Sequence, residues 1–292
     1  MKKIIVIGSI SIDNVVYTNN LPGPGTTVYG ESFISNIGGK GANQACAIKF
    51  LGGDVEFFGA IGDDDNGKRI ENFLKNAGFA VNLKKSQAST GIASITIDNK
   101  TAENRIIIVP GANMDINKDD IDKIDFNNKG ILLLQLENPV DTVIYAMKKA
   151  KENGLLVVLN PAPYHDIPTS CFEYIDYFIP NEHELEMFTS HIEGSFELRA
   201  KHLVNKGIKN VLVTLGEKGS MLVNSEQVIN IPPRKVEAID TTGAGDSYCG
   251  AFVTALSQNK SVIEAMEFAT LVSSITVTRK GAIQSLPKLS EL

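Results

Sequence analysis

The chain of 292 residues is long enough for one large α/β domain and too short for several full-sized domains. Hydrophobic residues make up 43% of the chain and charged residues 21%, which excludes an intrinsically disordered polypeptide. The formal net charge of −6 argues against nucleic acid as the main partner, because a phosphate backbone attracts basic surfaces.

The cysteine and hydropathy patterns argue against two further classes of protein. Three scattered cysteines do not form a disulfide framework or a paired-cysteine zinc site, and no apolar stretch is long enough to span a bilayer. The apolar run near the amino end stops after four residues, so it lacks the core of a signal peptide. We therefore expect a cytoplasmic protein with no membrane partner.

Short apolar runs alternate with longer amphipathic segments along most of the chain. Near-continuous Ile, Val and Leu predict strands that are buried on both faces, and Gly, Pro or Asn marks most boundaries. The predicted strands are Ile4–Ile7, Ile131–Leu136, Leu155–Leu159, Tyr174–Ile179 and Val211–Leu215. The predicted helices are Gly41–Phe50, Gly67–Ala77, Pro139–Glu152, Glu182–Thr189, Ser195–Asn205, Ala244–Ser257 and Ser261–Thr278. This alternation predicts an α/β fold, a three-layer αβα sandwich around a mostly parallel central sheet.

Two stretches break this rhythm, because strand-like alternation continues in them without a helix between the strands. They are Ile12–Ile37 and Gly91–Val109, and together they predict a small antiparallel sheet projecting from the main one. Periodicity alone leaves two interpretations open, a decorative insertion and a lid over an active site. No internal repeat or polar linker divides residues 1–292, which predicts a single domain that carries this discontinuous β sheet.

The strongest chemical motif is the segment Asp240–Gly250, with the sequence DTTGAGDSYCG. Gly243, Ala244 and Gly245 open a predicted helix whose first amides have no partner within the helix, and such a terminus suits a phosphoryl group. Asp246 lies in the first turn, where a carboxylate can accept a proton from an attacking hydroxyl. Taken alone, the motif is explained at least as well by a helix cap and a tight turn.

Further polar or glycine-rich elements follow the ends of the other predicted strands. They are Gly38–Asn43, Glu137, Asn160–Pro163, Asn181 with Glu184, and Thr214–Gly219. Each alone is simply a turn, a helix start or a solvated charge. Several of them at the carboxyl ends of successive strands indicate a ligand crevice, because open α/β sheets bind ligands at that edge.

With these elements the sequence resembles the ribokinase-like (PfkB) carbohydrate kinase family, from Ile4 to about Pro287. The matching motifs are GGKGAN at 38–43, QLE at 135–137, NPAP at 160–163, PNE at 180–182, TLG at 214–216, DTTGAGD at 240–246 and TRKGA at 278–282. The resemblance implies transfer of the ATP γ-phosphoryl group to the 5-hydroxyl of D-ribose, giving D-ribose 5-phosphate and ADP. It also implies Mg²⁺ and K⁺ as cofactors, and a homodimer formed through the β lid.

The resemblance further implies a role for each matching position. Asp246 is the expected catalytic base, and the amides of Gly243, Ala244 and Gly245 are the expected anion hole for the γ-phosphate. The positions expected to contact the sugar are Ser11, Asp13, Gly39, Lys40, Asn43, Glu137 and Asp246. Those expected to contact the nucleotide and its Mg²⁺–phosphate group are Asn181, Glu184, Thr214, Gly216, Glu217, Lys218, Gly219 and Gly245. The expected monovalent-cation loop comprises Asp240, Thr242, Thr276, Arg279, Gly281 and Ser285.

One position departs from the family pattern. The segment GSISID at 8–13 places Ser11 where the family usually has asparagine. Because serine is shorter and offers one hydroxyl, a hydrogen bond to the sugar is lost or passes through water. Kinases for 2-deoxyribose, fructose or adenosine therefore remain alternatives, and so does a sugar sensor without catalytic activity.

Overall fold

The computed structural model describes residues 1–101, 103–127 and 129–292. Its strands are β1 (Lys3–Ile7), β2 (Ser11–Thr18), β3 (Gly30–Gly38), β4 (Val55–Gly62), β5 (Ala80–Ser86), β6 (Gly91–Asp98), β7 (Asn104–Val109), β8 (Lys129–Leu134), β9 (Leu156–Leu159), β10 (Tyr177–Phe178), β11 (Asn210–Thr214), β12 (Ser220–Asn224) and β13 (Val228–Ile231). Its α-helices are α1 (Lys40–Phe50), α2 (Asp65–Asn76), α3 (Lys118–Asp122), α4 (Val140–Glu152), α5 (Glu182–Phe188), α6 (Phe196–Asn205), α7 (Ala244–Ser257) and α8 (Val262–Thr276).

The large sheet has nine strands in the order β13-β12-β11-β10-β9-β8-β1-β4-β5. The strands from β11 to β5 are parallel to one another, and β12 and β13 add an antiparallel pair at one edge. The predicted mostly parallel sheet is therefore confirmed. All the parallel strands end at one edge, so the loops that follow them lie close together.

The two faces of the large sheet carry separate hydrophobic cores. Along β1, Ile4 and Val6 pack into the core that contains Phe252 of α7, whereas Ile5 and Ile7 pack into the opposite core. All four strand residues are at most 2% exposed, and burial of each such side chain contributes about 1.5–3 kcal/mol. This continuous apolar run, covered on both sides, confirms the predicted three-layer arrangement.

The second sheet has four strands in the order β3-β2-β6-β7. The expectation that it is antiparallel is only partly right, because the central pair, β2 and β6, is parallel, from Ser11 opposite Gly91 to Thr18 opposite Asp98. Both strands follow parallel strands of the large sheet, β1 and β5, so they leave its carboxyl edge in the same direction. The outer pairs with β3 and β7 are antiparallel, as expected.

Strands at the edges of the large sheet are the elements that periodicity does not reveal. The edge strand β5 reads AVNLKKS and its neighbour β4 reads VEFFGAIG, and neither is the uninterrupted Ile, Val and Leu run that marks a central strand. The predicted strand Tyr174–Ile179 is shorter in the structure, where it is β10, because Tyr174 ends a 3₁₀ turn.

Among the described helices, none combines the length and apolar composition that a bilayer span requires.

Candidate active site

The start of α7 presents free backbone amides at the carboxyl edge of the large sheet. Gly243 precedes the helix with φ of +77°, a left-handed conformation that glycine adopts without strain. The amide of Ala244 donates to the carbonyl of Thr241 at 3.2 Å, so this one of the three predicted anion-hole amides is already used. Within the described chain the amides of Gly245 and Asp246 donate no hydrogen bond to protein atoms. These two amides are available to an anion.

The Asp246 carboxylate is 7% exposed and accepts one hydrogen bond on each oxygen. Asn43 Nδ2 donates to Oδ2 at 2.8 Å, and Gln44 Nε2 donates to Oδ1 at 3.0 Å. Both donors are neutral amides from the first turns of α1. The carboxylate is therefore held among polar groups and does not point into packed hydrocarbon.

A second carboxylate, Glu137, follows β8 at the same edge of the large sheet as Asp246. We call the region around Asp246, Glu137 and Asp13 the cleft. Its Oε2 accepts hydrogen bonds from the Ser9 hydroxyl and, at 3.1 Å, from the Lys40 backbone amide. Asp13 on β2 accepts a hydrogen bond from the Ser11 hydroxyl at 2.9 Å. The predicted sugar-contacting side chains of β2, α1 and the β8 loop therefore converge at the carboxyl edge.

These charges interact across the cleft. Burial raises the pKa of Asp13, and the nearby carboxylates of Glu137 and Asp246 raise it further against the opposing effect of the Ser11 hydrogen bond. Burial would lower the pKa of Lys40, but attraction to Asp246 and Glu137 outweighs it, so the net shift is upward. Lys40 thus provides a positive charge among several acids, as a site for hydroxyl and phosphoryl groups requires.

Close backbone approaches explain two glycines at the start of α1, Gly39 before the helix and Gly41 in its first turn. At Gly39, where φ is +90°, a Cβ atom would lie 2.7 Å from the Cα of Ile10. At Gly41 a Cβ atom would lie 2.6 Å from the carbonyl carbon of Gly8. Side chains at these positions would push α1 away from the end of β1, and with it the donors to Asp246.

The predicted nucleotide positions lie along the neighbouring strand ends, β10 and β11. Asn181 caps α5, and it exchanges hydrogen bonds with Glu184, whose backbone amide donates to Asn181 Oδ1 at 2.7 Å. Burial raises the pKa of Glu184; Lys40 opposes this rise and Asp246 reinforces it, which places Glu184 within electrostatic reach of the cleft. Thr214 pairs with Asn181 across the strand ends.

The rest of the predicted nucleotide segment forms an exposed 3₁₀ turn between Gly216 and Lys218, and Gly219 follows with φ of +90°. The Lys218 ammonium forms an ion pair with Glu182 at 3.1 Å, so its side chain is directed along the surface and not into the cleft. Glu217 is exposed beside it.

The predicted cation loop is assembled around Asp240. Its carboxylate accepts from the Thr242 amide and from the Gly281 amide, both at 2.9 Å, and so ties the two halves of the loop together. Burial would raise the pKa of Asp240, but these hydrogen bonds lower it, so the carboxylate is ionised.

The remaining loop residues make hydrogen bonds within their own segments. The Thr276 carbonyl accepts from the Arg279 amide at 3.0 Å, and the Ser285 hydroxyl donates to the Ala282 carbonyl at 2.7 Å. The Arg279 guanidinium pairs with Glu291, so its side chain points away from the loop. Arg279 can therefore offer a cation only its main-chain oxygen.

Sequence reasoning did not identify two of the residues that hold the acids of the site. Gln44 donates to Asp246, and Ser9 donates to Glu137. Gln44 directly follows the GGKGAN motif, is fully buried in α1, and is followed by the apolar residues Ala45–Ile48. A glutamine at a core position of a predicted helix is the signal that could have indicated it, because a buried amide requires partners.

Comparison with known proteins identifies the family. The family model described as pfkB family carbohydrate kinase matches residues 1–289. The chain belongs to this family. A ribokinase of Lactococcus lactis subsp. lactis (strain IL1403) is 38% identical over 297 residues, which cover 100% of this chain and 96% of the relative. A deoxyribokinase of Salmonella typhi is 37% identical, with 99% of this chain and 96% of the relative covered.

Solved structures of the family agree with this assignment. The structure of Arabidopsis thaliana ribokinase complexed with ribose and ATP has a TM-score of 0.90 and 33% identity, and covers 99% of this chain and 96% of that one. The family resemblance and the ribokinase-like fold predicted from the sequence are therefore confirmed.

Proposed function

We propose that the protein transfers the γ-phosphoryl group of ATP to the 5-hydroxyl of D-ribose, giving D-ribose 5-phosphate and ADP. Its main support is the position of Asp246, which lies beside two free amides at the start of α7 and faces the carboxylates and amides of the predicted sugar side. A similar protein, the ribokinase of Arabidopsis thaliana, has been solved with ribose and ATP.

In the proposed reaction, Asp246 takes the proton of the attacking hydroxyl as its oxygen forms the new bond to the γ-phosphorus. The bond between that phosphorus and the bridging oxygen breaks, and ADP leaves with the electron pair. The amides of Gly245 and Asp246 donate to the transferring group as negative charge builds on it. Asn43, Asp13 and Glu137 hold the sugar hydroxyls, and the positive charge of Lys40 offsets the surrounding acids.

Two metal ions fit residues of the site. Mg²⁺ prefers oxygen ligands and keeps several waters, and Glu184 offers such a carboxylate near the phosphate end of the cleft; when bound, Mg²⁺ neutralises phosphate charge. In the described residues no three His, Cys, Asp or Glu side chains gather as a metal site. We assign K⁺ to the loop that Asp240 ties together, whose main-chain oxygens and ionised carboxylate suit a hard monovalent cation.

We further propose that the small sheet of β2, β3, β6 and β7 is a lid and that two copies associate through it. Asp13 is on β2, so the sheet already contributes to the sugar side of the cleft. Its outer strands expose large apolar side chains, with Phe33 at 63% and Ile107 at 68% exposure. A patch of this kind is typical of an interface.

We also infer that the enzyme works in the cytoplasm, because its three cysteines are free thiols.

One observation favours 2-deoxyribose as a second substrate. The Ser11 hydroxyl donates to Asp13 and is therefore already engaged, so this position offers the sugar less than the family asparagine would. A coupled ADP-release assay with ribose, 2-deoxyribose, fructose and adenosine tests both substrates. We expect the highest kcat/KM with ribose. A higher kcat/KM with another acceptor would show that this acceptor, and not ribose, is the preferred substrate. Sugar binding without ADP release would support a sensor.

A further inference from the structure

Three buried side-chain amides form a chain of hydrogen bonds that ends on Asp246. We call Gln135, Gln44 and Asn160 the amide relay. Gln135 Nε2 donates to Gln44 Oε1 at 2.6 Å, and Gln44 Nε2 donates to Asn160 Oδ1 and to Asp246 Oδ1, each at 3.0 Å. Gln44 and Gln135 are fully buried and Asn160 is 8% exposed, so water does not compete for these bonds.

The orientation of Gln44 is fixed at both ends of its amide. Its oxygen accepts from Gln135, so its nitrogen must face Asp246 and Asn160. Asn160 is fixed in turn, because its own Nδ2 donates to the Ile179 carbonyl at 2.8 Å. A reversed Gln44 would place its oxygen against a carboxylate and a second amide oxygen. The relay therefore delivers one donor to Oδ1 of Asp246 in a single orientation.

We propose that Gln44 is the positioning residue for the catalytic base: its neutral Nε2 donor orients the Asp246 carboxylate. This inference rests on the proposed function. The charged or titratable groups that face Asp246 are Asp13 of β2, Lys40 of α1, Glu184 of α5 and Cys249 of α7 itself. Two of these groups are acids, whereas both donors to the Asp246 carboxylate, Asn43 Nδ2 and Gln44 Nε2, are neutral amides.

The variant Gln44→Glu tests whether Asp246 needs the hydrogen bond from Gln44 Nε2, and it leaves the volume of the side chain almost unchanged. It replaces the Nε2 donor with an oxygen about 3 Å from Asp246 Oδ1, and two such acids share a proton. We expect the acidic limb of the kcat pH profile to move up by about one pH unit or more, and kcat near neutral pH to fall at least about tenfold. KM for sugar and ATP should change less than about threefold, because Asn43 and the α7 amides are unchanged.

Thr254→Val is the matched control. Thr254 is fully buried in α7, and its hydroxyl donates to the Gly250 carbonyl, so the variant loses a buried hydrogen bond on the same helix without touching Asp246. Its pH profile should superpose on that of the parent. A Gln44→Glu profile that also superposes, with unchanged kcat, overturns the inference.

A second measurement does not depend on turnover. In Gln44→Glu the buried acid loses its proton as the pH rises, so the loss of Tm relative to the parent should grow by about 3 °C or more between about pH 5 and pH 8. In the double variant Gln44→Glu with Asp246→Asn, the new amide at position 246 can donate to the new carboxylate at position 44. The double variant should therefore recover at least about half of the Tm loss of Gln44→Glu. A Tm loss that is independent of pH, or that Asp246→Asn does not reduce, overturns the contact. A parent enzyme that releases no ADP overturns the proposed function instead, while the Tm series still decides whether Gln44 holds Asp246.

Discussion

Replacing Asp246 with asparagine removes the proposed base at little cost in stability. The new NH₂ group would face a donor on Asn43 or on Gln44, which by itself is unfavourable. Asn43 Oδ1, however, is buried without a hydrogen-bond partner among the described residues. Rotation of the Asn43 amide turns that oxygen toward the new NH₂ group. We therefore expect a loss of at most about 1 kcal/mol, a Tm change of a few degrees.

The chemical effect of Asp246→Asn should be much larger. A positioned general base contributes about 10²–10⁴-fold, and we expect kcat to fall by about 10³-fold, which is about 4 kcal/mol of activation free energy. The start of α7 is unchanged in the variant, so its free amides still face the phosphate end of the cleft. The Kd for ATP should therefore stay within about threefold of the parent value.

Three measurements decide this prediction. ADP release is followed by a coupled assay at saturating ribose and ATP, ATP binding by titration calorimetry, and folding by a thermal scan. A variant that folds and binds ATP normally, yet turns over within tenfold of the parent, would show that another group accepts the proton.

Three further predictions concern stability, the cation and the assembly. Burial would raise the pKa of Asp176, but ion pairs with Lys151 and Lys209 lower it, so this carboxylate stabilises the protein above its unfolded pKa of about 4 and loses that effect in acid. Asp176→Asn should lower Tm most at neutral pH and progressively less as the pH falls below about 4; equal losses at pH 7 and pH 3 would contradict the sign. ADP release should be faster in K⁺ than in Na⁺ at equal ionic strength, and Asp240→Ala should abolish the difference; equal rates in the parent would count against the cation loop. Ile107→Glu should halve the mass measured by light scattering, and a parent that is already monomeric would rule out the lid interface.

The sequence predicts those elements whose residue pattern reflects how they are buried or capped. It does not predict how the strands of the small sheet pair. Helix α7 was predicted with the bounds that the structure has, because its first residues carry a glycine turn and its interior is apolar. The position of Asn181 and Glu184 after Pro180 predicts a helix start, and the two residues do form a capping box. The parallel pairing of β2 with β6 could not be predicted, because periodicity reports which face a strand buries and not which strand it joins.

The sequence also indicates which residues lie at the site more readily than how they meet. The motifs place polar groups after successive strands, and a parallel sheet brings such groups to one edge. The partners of Gln44 lie 116 residues away at Asn160 and 202 residues away at Asp246. No local pattern encodes contacts of that separation. The contact with Asp246 arises only once α1 and α7 pack side by side, and the contact with Asn160 only once α1 lies beside the end of β9.

The packing of α1 against α7 depends on the last residue of the catalytic motif. Gly250 lies four residues after Asp246, so both face the same side of α7. A Cβ atom at Gly250 would lie 2.6 Å from the Cβ of Ala47 and 3.0 Å from the carbonyl oxygen of Gln44, so the two helices approach as closely as they do because this position lacks a side chain. That approach carries Asp246 into reach of the amides of Asn43 and Gln44. The glycines at the start of the motif leave amides free for phosphate, and the glycine at its end brings the base to the residues that orient it.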